Sequence, residues 1–205
     1  MVELFNDGGV MMWPILGLFI FGVIVTLERI YTLTKSTIVT KSFIPKMNKT
    51  LKDDGVEAAL ELCENTPGPI AEIFHAGLSR YKHGIEAVEK AISNAGTVEL
   101  AFLERGMIWL STVIVLAPML GFAGTVAGMV VAFQDIEAAN NISPAVVAGG
   151  ISQALLTTLF GLIVAMIIQF FYNIFQSRVD SIVVNMEESS INLIDTISYD
   201  QGKKE

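Results

Sequence analysis

The chain has 205 residues, of which 52% are hydrophobic and 17% charged, and its mean hydropathy of +0.57 is too high for a soluble globular protein. The same composition excludes a disordered, collagen-like or disulfide-scaffold chain. A net charge of −8 would repel a phosphate backbone, so we expect no nucleic-acid partner. One cysteine and two histidines cannot form an internal disulfide or build a zinc site unaided. We therefore predict no metal and no cofactor.

Three long stretches lack charged residues, and they divide the chain. They run from Gly8 to Leu27, from Gly106 to Gln134 and from Ala138 to Ser177. About 20 apolar residues in a helix cross the roughly 30 Å of a bilayer core, where a charge is costly, so each stretch can hold a spanning helix. We place the three spans at 10–29, 108–133 and 148–175. We expect the first to be a retained helix rather than a signal peptide, because residues 1–9 hold no Lys or Arg and no cleavage pattern follows it.

The basic residues predict the orientation. The segment from Arg29 to Met107 holds ten of the 13 Lys and Arg, and the tail after the third span holds the other three. By the positive-inside rule, these parts face the cytoplasm. The remaining assignments are a periplasmic N-terminus at 1–9, a cytoplasmic helical domain at 30–107, a short periplasmic loop at 134–147 and a cytoplasmic helical tail at 176–205.

Helical periodicity continues outside the spans. In the cytoplasmic domain, Asp53 or Asp54 is positioned to cap a helix that stops at Pro67-Gly68-Pro69, and a second helix starts near Ile70 and breaks around Gly84. No turn signal separates the following helix from the second span, so the pattern predicts one continuous helix there. In the tail, apolar residues recur at steps of three and four and form a packing stripe. The predicted fold is an all-α integral membrane protein with three transmembrane helices and long cytoplasmic extensions.

The second and third spans each have one small, partly polar face. On the second it consists of Ala117, Gly121, Gly124, Thr125, Gly128 and Ala132, and on the third of Ala154, Thr158, Gly161, Ala165 and Gln169, with Thr157 adjacent. Such faces let helices approach closely, and each threonine hydroxyl can bond a carbonyl one turn back. The functional alternative is that Thr125 and Thr158 line a narrow polar path. Neither span holds Asp, Glu, Lys, Arg or His, so a partner must supply the ionisable group if protons move.

Three segments closely resemble the MotA/TolQ/ExbB proton-channel family, and its ExbB/TolQ branch most. They are LERGMIWL at 103–110, APMLGFAGTVAGM at 117–129 and GGISQALLTTLFGL at 149–162. The resemblance implies a homopentamer in the bacterial inner (cytoplasmic) membrane that surrounds an ExbD/TolR-like single-span protein. It implies a motor stator, driven by protons or by sodium, that energises transport or another process at the outer membrane. A TonB-like energy transducer is a further implied partner, and lipid surrounds the spans.

The resemblance also assigns residues. Thr125 and Thr158 fall on the family's two threonines that face the partner's membrane aspartate, and Thr157 adds a hydroxyl, as in sodium-driven relatives. Pro118 matches the family's proline in the second span. The positions expected to pack around the pore are Pro118, Gly121, Gly124, Gly128, Ala154 and Gly161. The chain departs from the family at Gln153, where ExbB and TolQ commonly carry a glutamate, and this shifts the proton-carrying load to the partner.

Two other classes of protein are alternatives. A structural membrane scaffold, with no ion pathway of its own, would use the glycine faces for packing alone. An enzyme would need a convergent motif, and Cys63, His75 and His83 form none in the sequence. We therefore predict no catalytic residues.

Overall fold

The computed structural model describes residues 2–139 and 144–202, and these residues form α-helices and short turns with no β-strand. Three of the helices are long and apolar enough to cross a membrane. The helices in chain order are α1 Val2–Asp7, α2 Met12–Asp53, α3 Gly55–Glu64, α4 Pro69–Leu78, α5 Ile85–Glu104, α6 Met107–Ala139 and α7 Pro144–Gly202, with a 3₁₀ turn at Tyr81–His83 between α4 and α5. The all-α prediction is confirmed for the described residues.

The chain divides into two compact units. Unit 1 contains Met1–Glu28 and Gly106–Ile174, and unit 2 contains Arg29–Arg105 and Phe175–Glu205. Helices α2 and α7 therefore contribute to both units, and the change of unit between α5 and α6 falls at Arg105–Gly106.

Unit 1 is held by packing of small residues and interleaved apolar side chains. Gly22 on α2 lies against Ile168 of α7 and Val113 of α6, so the three helices meet at that level. Trp109 on α6 makes an edge-to-face contact with Phe21 on α2, with ring centroids 5.9 Å apart. The outer faces of these helices carry large exposed apolar side chains, as expected for helices that face lipid.

Unit 2 has a conventional apolar core. Its buried side chains come from every helix that contributes to it: Leu33, Phe43 and Met47 from α2, Ala59 and Cys63 from α3, Ile70, Ile73, Phe74 and Leu78 from α4, Val88 and Ile92 from α5, and Val179, Ile182, Met186, Leu193 and Ile197 from α7. Helices α4 and α5 pack closely, with Gly77 facing Ile92 and Val88. The predicted packing stripe of the tail is confirmed, since its main members are buried.

One local expectation is wrong. Asp54 occupies the N-cap position of α3 but makes no side-chain cap bond, because its backbone is helical (φ −114°, ψ −9°) rather than extended. The continuous helix predicted through residue 105 is confirmed as a run from Ile85 to Glu137, with a local irregularity at Arg105–Gly106 that divides it into α5 and α6. There the Arg105 N–H bonds the Phe102 carbonyl three residues back, and glycine at 106 is a weak helix former.

Not every apolar residue of α5 is buried. Val98 and Phe102 are exposed, whereas Leu103 is buried. At the other end of the second span, α6 continues through Ala139, so helix occupies the first part of the predicted 134–147 loop. Ser143 stands before Pro144, a pattern that predicts a helix N-cap, but it lies outside the described residues.

Candidate functional site

The small faces of α6 and α7 pack directly against each other in unit 1. A Cβ atom added to Gly161 of α7 would lie 2.5 Å from the Ala117 carbonyl oxygen and 3.2 Å from the Gly121 Cα of α6. A Cβ added to Gly128 of α6 would lie 3.1 Å from the Gly150 carbonyl oxygen. The two backbones are thus in contact along these faces, as in other small-residue helix pairs.

Two neighbouring threonines of α7 converge on one backbone oxygen of α6. The Thr157 hydroxyl lies 3.3 Å from the Gly121 carbonyl oxygen, and the Thr158 hydroxyl lies 3.2 Å from the same atom. Because this carbonyl also accepts the helical N–H of Thr125, the two hydroxyls share its remaining lone pair. We call these three groups the Gly121 oxygen cluster.

The two threonines differ in burial, and this separates their roles. Thr157 is 0% exposed, fits into the space left by Gly124, and also lies 2.8 Å from the Ala154 carbonyl oxygen. Its hydroxyl is therefore fully occupied within the helix pair. Thr158 is only half-buried and remains accessible at the edge of the pair.

The other predicted residue with a hydroxyl lies on α6. Thr125 is half-buried and donates a hydrogen bond to the Phe122 carbonyl at 2.6 Å. This bond lies within its own helix, so Thr125 does not take part in the Gly121 oxygen cluster. Pro118 lies inside α6, one residue after the Ala117 carbonyl that contacts Gly161. Its missing N–H leaves a carbonyl of the preceding turn without its helical partner.

Gln153 has a contact that sequence reasoning missed. Its side-chain amide lies against Gly9, where the chain turns between α1 and α2 and where a Cβ atom would collide with it. Gly9 has φ +70°, a conformation that favours glycine. The Asp7-Gly8-Gly9 sequence is itself a turn signal, but nothing in it indicates which residue of α7 packs against the turn.

The chemistry of the site is that of neutral oxygen atoms. Hydroxyl and carbonyl groups line the helix pair, and residues 108–133 and 148–175 contain no Asp, Glu, Lys, Arg or His. Among the described residues, no group of three or more His, Cys, Asp or Glu side chains could hold a metal ion. The site can orient or solvate an ion or a protonated group, but these two spans supply no carboxylate for it.

These features define the class of protein: a multi-pass, all-helical membrane protein whose second and third spans pair through a small face that carries hydroxyl groups. The model of one family, described as the MotA/TolQ/ExbB proton channel family, matches residues 65–188. The chain belongs to this family of transport proteins, and its relatives place it on the ExbB/TolQ branch.

Three relatives illustrate the range. An ExbB homolog of Methanothermobacter thermautotrophicus, named for biopolymer transport, is 34% identical over 91% of this chain and 66% of its own length. An ExbB-like biopolymer transport protein of Synechocystis is 28% identical over 83% of this chain and 82% of its own length. The Tol-Pal system protein TolQ of Haemophilus influenzae is 33% identical over 54% of this chain and 47% of its own length. The chain thus spans about two thirds of the first relative and about half of TolQ.

Proposed function

We propose that this chain is the ExbB/TolQ-like subunit of an ion-driven motor in the inner membrane. Five copies surround an ExbD/TolR-like single-span partner, with a TonB-like transducer as a further component, and together they energise transport or another process at the outer membrane. Protons are the expected coupling ion, and sodium is the alternative. The partners, the number of copies and the process at the outer membrane go beyond what family membership alone establishes.

One observation carries the proposal: the paired spans present hydroxyl groups and contain no Asp, Glu, Lys, Arg or His. A proton path through a membrane usually runs through such a group, and this chain provides none in its second and third spans. Gln153, at the position of the family's glutamate, is neutral as well. An acidic residue of the partner, flanked by Thr125 and Thr158, would complete the path.

The burial of the threonines refines the assignment. Thr158 and Thr125, which are half-buried, are the proposed partner-facing residues. Thr157 has its hydroxyl enclosed between α6 and α7, and we assign it to fixing the pair rather than to the partner. The glycines at 121, 124, 128 and 161, together with Ala154 and Pro118, set the spacing around the path.

The first experiment is native mass spectrometry of the complex extracted gently from its own membranes. Five copies of this chain with a single-span partner in smaller number support the motor. A monomer, or a homo-oligomer without a partner, would contradict it and favour the scaffold.

The second experiment separates the threonines by function. Thr158→Val should lower ion flux, in proteoliposomes that contain the chain and its co-purified partner, roughly tenfold, as for the loss of about 1.4 kcal/mol at the rate-limiting barrier. The complex should still assemble. Thr112→Val is the matched control, because Thr112 is an exposed α6 residue that bonds only its own helix at Ile108. Unchanged flux in Thr158→Val would refute the role of this residue.

The scaffold alternative has an observation of its own in its favour. The small faces of α6 and α7 are already occupied by each other, which is what packing alone requires. On this alternative, Thr158→Val changes no flux, whereas a bulky residue at Gly121 or Gly128 prevents assembly. The same set of variants therefore distinguishes the two functions.

A further inference from the structure

Helix α2 carries an exposed stripe of lysines and apolar side chains in unit 2. Tyr31, Lys35, Ile38, Lys46 and Lys49 are all exposed, and their spacing places them on one side of the helix. The opposite side carries the buried core residues of α2. Residues 30–52 hold five lysines and no acidic residue. We call the exposed residues Tyr31, Lys35, Ile38, Lys46 and Lys49 the basic stripe.

Helix α7 carries a corresponding stripe of opposite charge in the same unit. Asp180, Val184, Glu188, Ile191 and Asp195 are exposed and recur at steps of four, four, three and four. They lie opposite the buried tail residues. Residues 179–202 hold five acidic residues and neither Lys nor Arg. We call the exposed residues Asp180, Val184, Glu188, Ile191 and Asp195 the acidic stripe.

The charges of both stripes are unsatisfied within the chain. Among the described residues, no lysine of the basic stripe and no carboxylate of the acidic stripe has an ion-pair partner. The one hydrogen bond to these carboxylates comes from the Gln176 side chain, which donates to Asp180 at 3.2 Å. The three lysines of the basic stripe and the three carboxylates of the acidic stripe thus remain available for ion pairs with another chain.

Lipid hydrocarbon does not explain the apolar members of the stripes. Ile38 is 63% exposed and Ile191 is 59% exposed, yet each lies within one turn of a charged residue of its own stripe. A helix face with three charges in four to five turns is not stable in a bilayer core. Apolar side chains that alternate with charges in this way are typical of a protein interface with a polar rim.

We propose that the basic stripe of one copy packs against the acidic stripe of the next copy in the ring. The inference rests on the self-assembly in the proposed function and names the surface that carries it. Two basic stripes would repel each other, as would two acidic ones, so the contact joins two different faces. Such a head-to-tail contact generates a closed ring when its rotation closes.

The dimensions of the two stripes agree with this pairing. From Tyr31 to Lys49 the basic stripe extends about 27 Å along its helix, and from Asp180 to Asp195 the acidic stripe extends about 22 Å, at 1.5 Å per residue. With the predicted orientation, α2 and α7 both lead out of the membrane toward the cytoplasm. The stripes of neighbouring copies then run parallel, and each begins near the membrane.

Charge reversal tests the pairing in the intact complex. Lys46→Glu with Lys49→Glu should lower the fraction of full-size assembly in native mass spectra on the order of tenfold, since like charges placed across an interface are costly. Glu188→Lys with Asp195→Lys should do the same. Combining all four substitutions should restore assembly. The control, Lys82→Glu with Lys90→Glu, makes the same charge change at exposed positions outside the stripe and should leave assembly unchanged.

Cross-linking tests which faces meet. A chain with Ile38→Cys and a differently tagged chain with Ile191→Cys should form a mixed disulfide when produced together. Chains that carry Ile38→Cys alone should not cross-link to each other, because two basic stripes do not meet. Native Cys63 is buried and should not interfere.

The outcomes separate this inference from the proposed function. If the wild-type chain is oligomeric and every charge variant assembles normally, the stripe pairing is refuted and the motor stands. A wild-type monomer in native membranes refutes both. If the lysine variants assemble normally but lose binding to phosphatidylglycerol vesicles, the basic stripe binds anionic lipid and the pairing is refuted.

Discussion

Gly161 shows how the lack of one side chain determines the contact between two helices. Its Cα position faces the Ala117 carbonyl, and the neighbouring Gly121 carbonyl accepts from Thr157 and Thr158. A Cβ atom at residue 161 would meet backbone rather than a flexible side chain, so α6 and α7 would have to separate. The hydrogen bonds to Gly121 depend on that same separation.

We predict that Gly161→Ala lowers the free energy of unfolding by about 1–3 kcal/mol, the usual cost of overpacking. Gly149→Ala on the same helix is the matched control, because nothing lies within 4 Å of an added Cβ there. Alanine at 149 should be neutral or stabilising by up to about 1 kcal/mol through its helix propensity. Thermal unfolding of the two variants in detergent measures the difference, and equal transition temperatures would contradict the contact.

Cys63 is the single thiol of the chain, and its surroundings suppress its reactivity. Burial first, and then the negative charges of the nearby Glu72 and Glu64 carboxylates, together raise its pKa to about 12. The thiolate is the reactive form, so almost none is present at neutral pH.

We therefore predict that Cys63 in the folded protein resists maleimide between pH 7 and pH 9 and reacts only after denaturation. Mass spectrometry of the labelled protein, with and without denaturant, measures this. An introduced exposed cysteine, such as Lys82→Cys, provides the positive control. Rapid labelling of Cys63 under native conditions would show that α3 opens readily.

At the scale of elements, the junction between α5 and α6 shows what periodicity does not reveal. The apolar pattern continues through it, but Arg29 of α2 donates to the Leu103 carbonyl at 3.3 Å and is itself 7% exposed. The guanidinium thus takes a carbonyl in the last turn of α5. This contact between residues 74 positions apart has no local sequence signal.

The packing of α4 against α5 brings two carboxylates of unit 2 together. The pKa of Glu99 on α5 is raised, first because burial disfavours its charged form and second because Glu72 on α4 carries like charge. A raised pKa in the folded state means that protonation of Glu99 stabilises the fold. The stabilisation from this protonation is fully present at pH values below the pKa of Glu99 in the unfolded chain. It is lost as the pH rises through the pKa of Glu99 in the folded protein.

We predict that Glu99→Gln raises the unfolding temperature at pH 7 to 8, because glutamine has no charge to desolvate or repel. The advantage should shrink as the pH falls and disappear below about pH 4.3, the ordinary glutamate value. Unfolding curves of the variant and the wild type across this range test the sign. Glu89→Gln on the same helix, at an exposed position, should show no comparable pH dependence.

For the whole molecule, the boundaries of the two structural units follow the distribution of charged residues along the chain. Unit 1 contains all three charge-free stretches apart from their ends, and unit 2 contains the segments with most of the basic residues. The predicted orientation places the N-terminus and the 134–147 loop outside and unit 2 in the cytoplasm.

Cysteine labelling tests this orientation. Because Cys63 is buried, single reporters can be introduced without removing it. In right-side-out membrane vesicles, a membrane-impermeant maleimide should label Asp135→Cys directly and Lys82→Cys only after the membrane is permeabilised. Both side chains are exposed in the fold, so accessibility to the reagent reports their side of the membrane. The reverse labelling pattern would overturn the orientation.

The sequence by itself determined the membrane class, the helical content and the family. Runs of about 20 residues without charge, apolar steps of three and four, and the segments at 103–110, 117–129 and 149–162 are local signals, because each depends on residues close together in the chain. The small faces of the second and third spans were predicted for the same reason. Their residues recur with the helical period.

Only the tertiary structure decided which groups meet. It enclosed Thr157 while leaving Thr158 half-buried, placed Gln153 against Gly9, and joined Arg29 to Leu103. Adjacent threonines look alike in sequence, but consecutive residues of a helix point about 100° apart, and the rotation of α7 against α6 selects which one is buried. That rotation is set by backbone contacts at several glycines acting together, which no single segment of sequence specifies.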